Sequence, residues 1–383
     1  MPLTDLKLIS YRNYINSHFT FNEKFNLIIG ENAVGKTNLV EAIYLLLNGM
    51  FLRELQIDDV VSFSHTHAYI EGHVNCGNYT ISYDVTIDRN RRTKNHRKNG
   101  KRVNIDELLE DNSVVTFVPE HLSSVKMGSE YRRMLTDHSL ISLNKDNQIL
   151  IREYKKALVH RNKILKNFVE GLQTKEQTEQ LLKAINPLFI KYSTLLTVRR
   201  IHFLALIEPM MNQVLDQFFQ GSDFLQIYYI ISSQRVSFDT SYDQLYQKVE
   251  GYHWERWQQL REAELRVGYS LFGAHRHDIE FYFNEKNAKT HCSQGQQRLI
   301  ILSFKMAQMT LLKQTRNGDF YLILDDVLSE LDLKNQSVFL EFLVQLPSQV
   351  FMTETHDHHQ WKPQCIKKEF YLRHNHLNFK ETS

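Results

Sequence analysis

The stretch Gly30-Glu31-Asn32-Ala33-Val34-Gly35-Lys36-Thr37 limits the possible fold more than any other in the chain. It fits G-x-x-x-x-G-K-[ST], a loop whose backbone N–H groups cradle phosphate between a buried strand and a helix. Both flanks are legible. "KFNLIIG" reads as a short buried strand ending at Gly30. The next segment has apolar residues at 39, 40, 43, 46 and 47, a helical spacing, with Gly49 placed as a C-terminal cap. In such a loop Gly30 and Gly35 permit the tight backbone. Lys36 reaches the β- and γ-phosphates of ATP, and Thr37 offers its hydroxyl to Mg²⁺. An α/β fold follows.

A second element supplies the other half of a phosphate site. "YLILDD" reads as a buried strand with Asp325 at its carboxyl end, where open α/β sheets bind ligands. Asp325 is the candidate Mg²⁺ partner, directly or through water. Asp326 is the candidate for orienting or deprotonating the attacking water. Ser329, Glu330 and Asp332 of "SELD" follow at once. A third element, Ser293-Gln294-Gly295-Gln296, opens a helix whose apolar face is Leu299, Leu302, Met306 and Met309. Free N–H groups and the helix dipole at that end favour an anion.

Charge is uneven. The net value of +2 hides the run Arg89 to Arg102, "RNRRTKNHRKNGKR", with eight Lys or Arg and no acid. The rest of the chain then has 38 basic and 44 acidic residues. Asn99-Gly100 signals a type I′ turn, so the run contains a β-hairpin. Arg91, Arg92, Lys94, Arg97 and Lys98 become candidate contacts to a nucleic-acid backbone, as do the paired Arg132 and Arg133 of the next segment. Three widely spaced cysteines argue against a disulfide framework or structural zinc. The histidines of "THDHH" (355–359) and "HRHD" (275–278) read as solvated or hydrogen-bonded rather than as metal ligands. No window approaches a membrane span and the start lacks a secretory signal, so a cytoplasmic protein is expected.

Strand and helix signals alternate over the first part of the chain. "LKLISY" with "SHFTFN", and "AYIEGHV" with "YTISYDVTI", read as antiparallel pairs. From 126 to 267 long amphipathic patterns take over, such as Tyr192, Leu195, Leu196, Phe203, Leu206, Ile207, Met210, Val214 and Phe218. One strand is expected there, at "FLQIYYIIS". After 268 the alternation returns, with "SQVFMT" (348–353) another buried strand. The expected organisation is a head made of 1–125 and 268–383, with 126–267 as a mostly helical insertion.

In this order, the loop, long insertion, S-Q-G-Q, D-D and S-E-L-D resemble the ABC-type ATPases that act on chromosomes. The resemblance narrows to the RecF family. It is carried by "LKLISYRNY" with Arg12-Asn13, "FLRE" around Arg53, "PEHLSSVKMGSEYRRMLTD" (119–137) and "YKKALVHRNKILK" (154–166). "GAHRHD" (273–278), "SQGQQR" and "LILDDVLSELD" complete it. Ala274 and His277 depart from the family pattern, and the tail after 355 departs most. The resemblance implies an ABC-type head, a P-loop sheet with an antiparallel β-subdomain, plus a helical lobe. It implies an ATP-dependent, head-to-head homodimer in which Ser293 to Gln296 cap the nucleotide of the other copy. It further implies binding to single-stranded and duplex DNA at gaps or junctions, RecO and RecR as partners, help in loading RecA, and a switch residue within Thr353 to His356. Asp326 stands where transporter-type sites carry a longer Glu, so a weak, DNA-stimulated ATPase acting mainly as a switch is expected. A transporter subunit would place S-x-G-Q about 100 residues after the loop, whereas Thr37 and Ser293 are 256 apart. A full SMC protein would need long heptad arms. Another SMC-like chromosome ATPase remains the alternative.

Overall fold

A computed structural model describes residues 1–53, 55–219, 223–236, 238, 241–315, 320–355, 368–373 and 376–380. The chain divides into two compact units, Met1–Leu122 with Gln308–Ser383, and Ser123–Ala307.

The first unit contains two six-stranded sheets. One is antiparallel throughout, in the order Tyr14–Thr20, Leu3–Tyr11, His67–Asn75, Thr80–Asp88, Thr93–Lys98, Lys101–Val103. Its inward residues alternate along each strand, as in His67–Asn75, where Ala68, Ile70 and Val74 are buried. The other sheet runs His376–Lys380, Lys368–Arg373, Phe25–Gly30, Gln349–Glu354, Tyr321–Asp325, Val114–Phe117. Only the His376–Lys380 edge is antiparallel. Its central strands are near-continuous apolar runs because both faces are covered.

The helix Lys36–Asn48 shows why. Leu39, Val40, Ala42, Ile43 and Leu45 to Leu47 are all fully buried. They join one core with Leu6, Leu8, Ile70 and Val85 of the antiparallel sheet and Ile28, Ile323 and Phe351 of the parallel one. A helix apolar on most sides is a helix packed on most sides. Gly49 ends it in the left-handed region at φ 73°, with its N–H returned to Leu45 O. The basic hairpin turns at Asn99 and Gly100, φ 49° and 76°, the pair of positive angles a type I′ turn requires.

The second unit joins helices Ser129–Leu143, Lys145–Val169, Lys175–Val214 and Tyr242–Val267 to a small antiparallel sheet. In that sheet Leu225–Ile231 pairs with Asp278–Phe283. That pairing draws 268–307 into this unit, so the sequence-derived limit at 267 falls inside it. The 40-residue helix Lys175–Val214 runs through Pro187 and Pro209. Each removes one backbone donor, and packing sustains the helix across the gap.

Arg161 anchors this unit. It has no exposed surface, and both its outer nitrogens donate to Glu264 at 3.0 and 2.6 Å. Nε donates to Asn186 and Nη1 to Ser270, while Phe189 and Phe272 lie over the guanidinium. Tyr154, earlier on the same helix, bonds His275 through both its N–H and its ring. Among the described residues no helix is long and apolar enough to cross a membrane.

Candidate nucleotide site

The site assembles at the carboxyl ends of three adjacent parallel strands. Residues 30–37 leave Phe25–Gly30 and enter the helix at Lys36. Ala33 and Gly35 take positive φ, 67° and 110°. At φ 110° any L side chain at Gly35 would be strained, and its Cβ would lie 2.4 Å from Asn13 Nδ2. The turn of the first hairpin braces the loop from outside. Asn13 Nδ2 donates to Val34 O, the Tyr14 hydroxyl to Gly35 O, and Asn38 Nδ2 to Asn13 Oδ1.

Lys36 Nζ donates back to Gly30 O and Glu31 O at 2.6 and 2.9 Å, which holds its ammonium over the loop mouth. Burial pulls its pKa down, and the carboxylates of Asp326, Asp325 and Glu354 oppose that. Asp325 is 2% exposed. Its Oδ1 accepts from Thr37 Oγ1 at 3.0 Å and Thr353 Oγ1 at 2.9 Å, and its Oδ2 from Arg53 Nη2 at 3.1 Å. Asp326 has φ 51°, and its N–H is fixed on Thr353 Oγ1. Its Oδ1 is buried without a hydrogen-bond partner among the described residues. Burial raises its pKa, Lys36 works against this, and Asp325 adds to it. Such a carboxylate suits a proton acceptor.

The oxygens fit a hard divalent cation. Thr37 Oγ1 and Asp325 Oδ1 are 3.0 Å apart. Two neighbouring ligands of an octahedral Mg²⁺ at its usual bond length are separated by about 2.9 Å. In the segment expected to hold a switch residue, Thr353 pins Asp325, and Glu354 is 2% exposed. His356 lies outside the described residues, as do His358 and His359 of the histidine-rich run.

The other expected residues are placed as follows. Ser329 Oγ donates to Asp326 O, Glu330 is half-buried nearby, and Asp332 caps the helix Leu333–Val344 through Asn335 N. Asp332 is thus occupied structurally. Ser293, Gln294, Gly295 and Gln296 are exposed in the second unit. Ser293 and Gln296 form a reciprocal cap, N to Oε1 at 3.0 Å and N to Oγ at 3.3 Å. A Cβ on Gly295 would meet only Ser293 Oγ, at 3.9 Å, so its outer side is open.

The basic residues divide. Arg91, Arg92 and Arg97 are 83%, 77% and 52% exposed. Lys94 is not a surface contact. Its Nζ donates to Gly49 O at 2.6 Å over the Phe51 ring, and burial lowers its pKa to about 8. Lys98 is tied to Asp111 at 2.6 Å. Period-two alternation explains this, since Lys94 and Lys98 stand opposite the buried Ile87 and Tyr83, on the inward face. Arg132 is 4% exposed and forks onto Asp278, with Val125 O and Met127 O on Nη1. Arg133 donates to His277 O and is half-buried. Arg132 is therefore a structural cation, not a phosphate contact.

Sequence reasoning missed Asn13 and Tyr14 as site-shaping groups, named Thr353 only within a segment expected to hold a switch residue, and placed Arg53 only in a turn. The available signal for Asn13 was the Arg12-Asn13 turn of "LKLISYRNY".

Glu354 gives a pH prediction. Burial, with Asp326 nearby, raises its pKa from 4.5 to about 8 against the pull of Lys36. The folded state therefore favours the protonated form. That contribution is complete below about pH 4.5 and drains away as pH rises toward 8. Relative to Glu354→Gln, in which that contribution is absent, the wild-type melting temperature should fall by several degrees between pH 5 and 8 in thermal melts, while the buried histidines with lowered pKa act in the opposite sense in both proteins. An equal slope in both proteins would contradict the assignment.

Residues 2–371 match the RecF/RecN/SMC N terminal domain family. The DNA replication and repair proteins RecF of Bacillus cytotoxicus and Bacillus mycoides are each 32% identical over 363 residues, covering 93% of this chain and 92% of theirs. A structure of the recombination mediator protein RecF with ATP superposes with a TM-score of 0.84 at 25% identity, over 99% of this chain and 97% of that one. The Smc head of Pyrococcus furiosus shares the fold, with a TM-score of 0.56 at 15% identity over 100% and 96%. The chain belongs to the RecF family.

Proposed function

We propose that the chain is an ATP-dependent DNA-binding protein of recombinational gap repair and replication restart. The observation that carries this reading is the contact of Thr37 with Asp325 beside Lys36, a phosphate loop and a cation ligand within one hydrogen bond. The ATP complex of the RecF relative supports the ligand. The residues Gly30 to Thr37 bind the triphosphate. Thr37 and Asp325 would hold Mg²⁺, which would supply positive charge to the phosphates. Asp326 orients the attacking water from its fixed backbone. It is one methylene shorter than Glu, so turnover is slow and ATP acts mainly as a switch.

Ser293 to Gln296 act on the nucleotide of a second copy. They present an open helix N-terminus with nothing but their own cap to satisfy. ATP then becomes the bridge of a head-to-head homodimer, which binds DNA at gaps or single-strand–duplex junctions. With RecO and RecR the dimer helps to load RecA, and hydrolysis releases it. Exposed Arg91, Arg92 and Arg97 supply backbone contacts.

Two tests follow. Lys36→Ala and Ser293→Arg chains should each be inactive alone, and mixing them should restore part of the ATP-dependent DNA binding, since one composite site is then intact. No recovery from the mixture would reject action between copies. Neutralising Arg91, Arg92 and Arg97 together should weaken DNA binding. The slope of log affinity against log salt should flatten by about 0.9 for each phosphate left without its cation. An unchanged slope would remove the hairpin from the interface.

A further inference from the structure

Arg53 sets a guanidinium on the Asp325 carboxylate, the same group that faces the metal. Its Nη2 lies 3.1 Å from Asp325 Oδ2 and 3.5 Å from Glu120 Oε1, and its Nε lies 3.9 Å from Glu41 Oε1. The side chain is 38% exposed, while Asp325 and Glu41 are 2% and 3% exposed. Asp325 is thus a buried charge that cannot be left alone, and Arg53 is a surface side chain that can move. The other groups here are fixed. Thr37 and Thr353 share Oδ1, and Arg12 is locked between Glu41 at 2.8 Å and Asp59 O at 3.1 Å.

We propose that Arg53 is a movable counter-ion that competes with the divalent cation for Asp325, so that metal and nucleotide must displace it to Glu120 before the site is complete. This rests on the nucleotide reading of the site. The electrostatics are direct. A cation between Thr37 and Asp325 adds two positive charges beside a guanidinium that already neutralises that carboxylate. The two cannot share one carboxylate at close range without repulsion. Glu120 is 49% exposed and already within 3.5 Å, so the guanidinium has a second seat. Arg53 is a positioning residue. It acts on the metal's ligand, and its removal should change how much metal the site needs.

The test is equilibrium binding of a fluorescent ATP analogue to the full chain, with Mg²⁺ titrated upward from an EDTA baseline. Arg53→Ala should lower the Mg²⁺ midpoint by about three- to tenfold, the scale of one partly exposed ion pair on a buried carboxylate. Arg53→Lys keeps the charge and should stay near the wild-type midpoint. Glu120→Gln removes the second seat and should move the midpoint upward, opposite to Arg53→Ala, whose lowered midpoint a general loss of folding cannot imitate. An unchanged midpoint in Arg53→Ala overturns the proposal. So does weaker binding by the same factor at every Mg²⁺ concentration, because Arg53 would then be holding the nucleotide itself. A wild-type chain that binds no nucleotide would overturn the functional reading, and this inference with it.

Discussion

One buried carboxylate organises the nucleotide half of the molecule. Asp325 sits at 2% exposure at the end of a central strand, and a lone charge there would cost several kcal/mol. Its partners come from three directions. Thr37 arrives from the phosphate loop, Thr353 from the neighbouring strand and Arg53 from the turn after the first helix. The strand order makes this possible, because Gln349–Glu354 lies between the loop strand and the Asp325 strand. Thr353 also fixes the Asp326 N–H, so one hydroxyl sets the position of both acids. The same carboxylate is therefore a structural hub, and in the proposed function it is also the group on which Mg²⁺ and Arg53 compete.

The second unit solves its own buried-charge problem by a different route. Arg161 and Glu264 are fully withdrawn from water and satisfied by a fork, an amide, a hydroxyl and two aromatic faces. Arg200 is treated alike, forked onto Asp137 with Nη1 on Ala274 O. These pairs do not move charge. They fix the register of helices whose apolar faces are broad and unspecific. Much of the family resemblance in "YKKALVHRNKILK" and "GAHRHD" falls on these residues, with Tyr154, Arg161 and His275 serving the core rather than a ligand.

The legible parts of the sequence were those governed by local chemistry. Gly30 to Thr37 needs particular backbone angles, Asn99-Gly100 needs a mirror-image turn, and the strand ending in Asp325 needs four apolar residues. Each was readable within about ten positions. What was not legible depended on distant partners. Arg132 reads as an exposed cation until Asp278 arrives from 146 residues away. Lys94 belongs to a basic run, yet strand parity turns it inward onto Gly49 O. The expected limit at 267 differs from the compact unit's limit at Ala307 because Asp278–Phe283 pairs with a strand some fifty residues earlier, and no local signal carries that pairing. Pro187 and Pro209 lie inside the helix Lys175–Val214, which tertiary packing carries through them.

The central claim is that ATP joins two copies of this chain on DNA. Sedimentation velocity of the full chain addresses it most directly, run with and without ATP and Mg²⁺, and with plain or gapped duplex. The account predicts a monomer without nucleotide, a dimer with ATP, and co-sedimentation with the gapped duplex in preference to the plain one. A monomer under every condition, or a dimer indifferent to ATP, would contradict it.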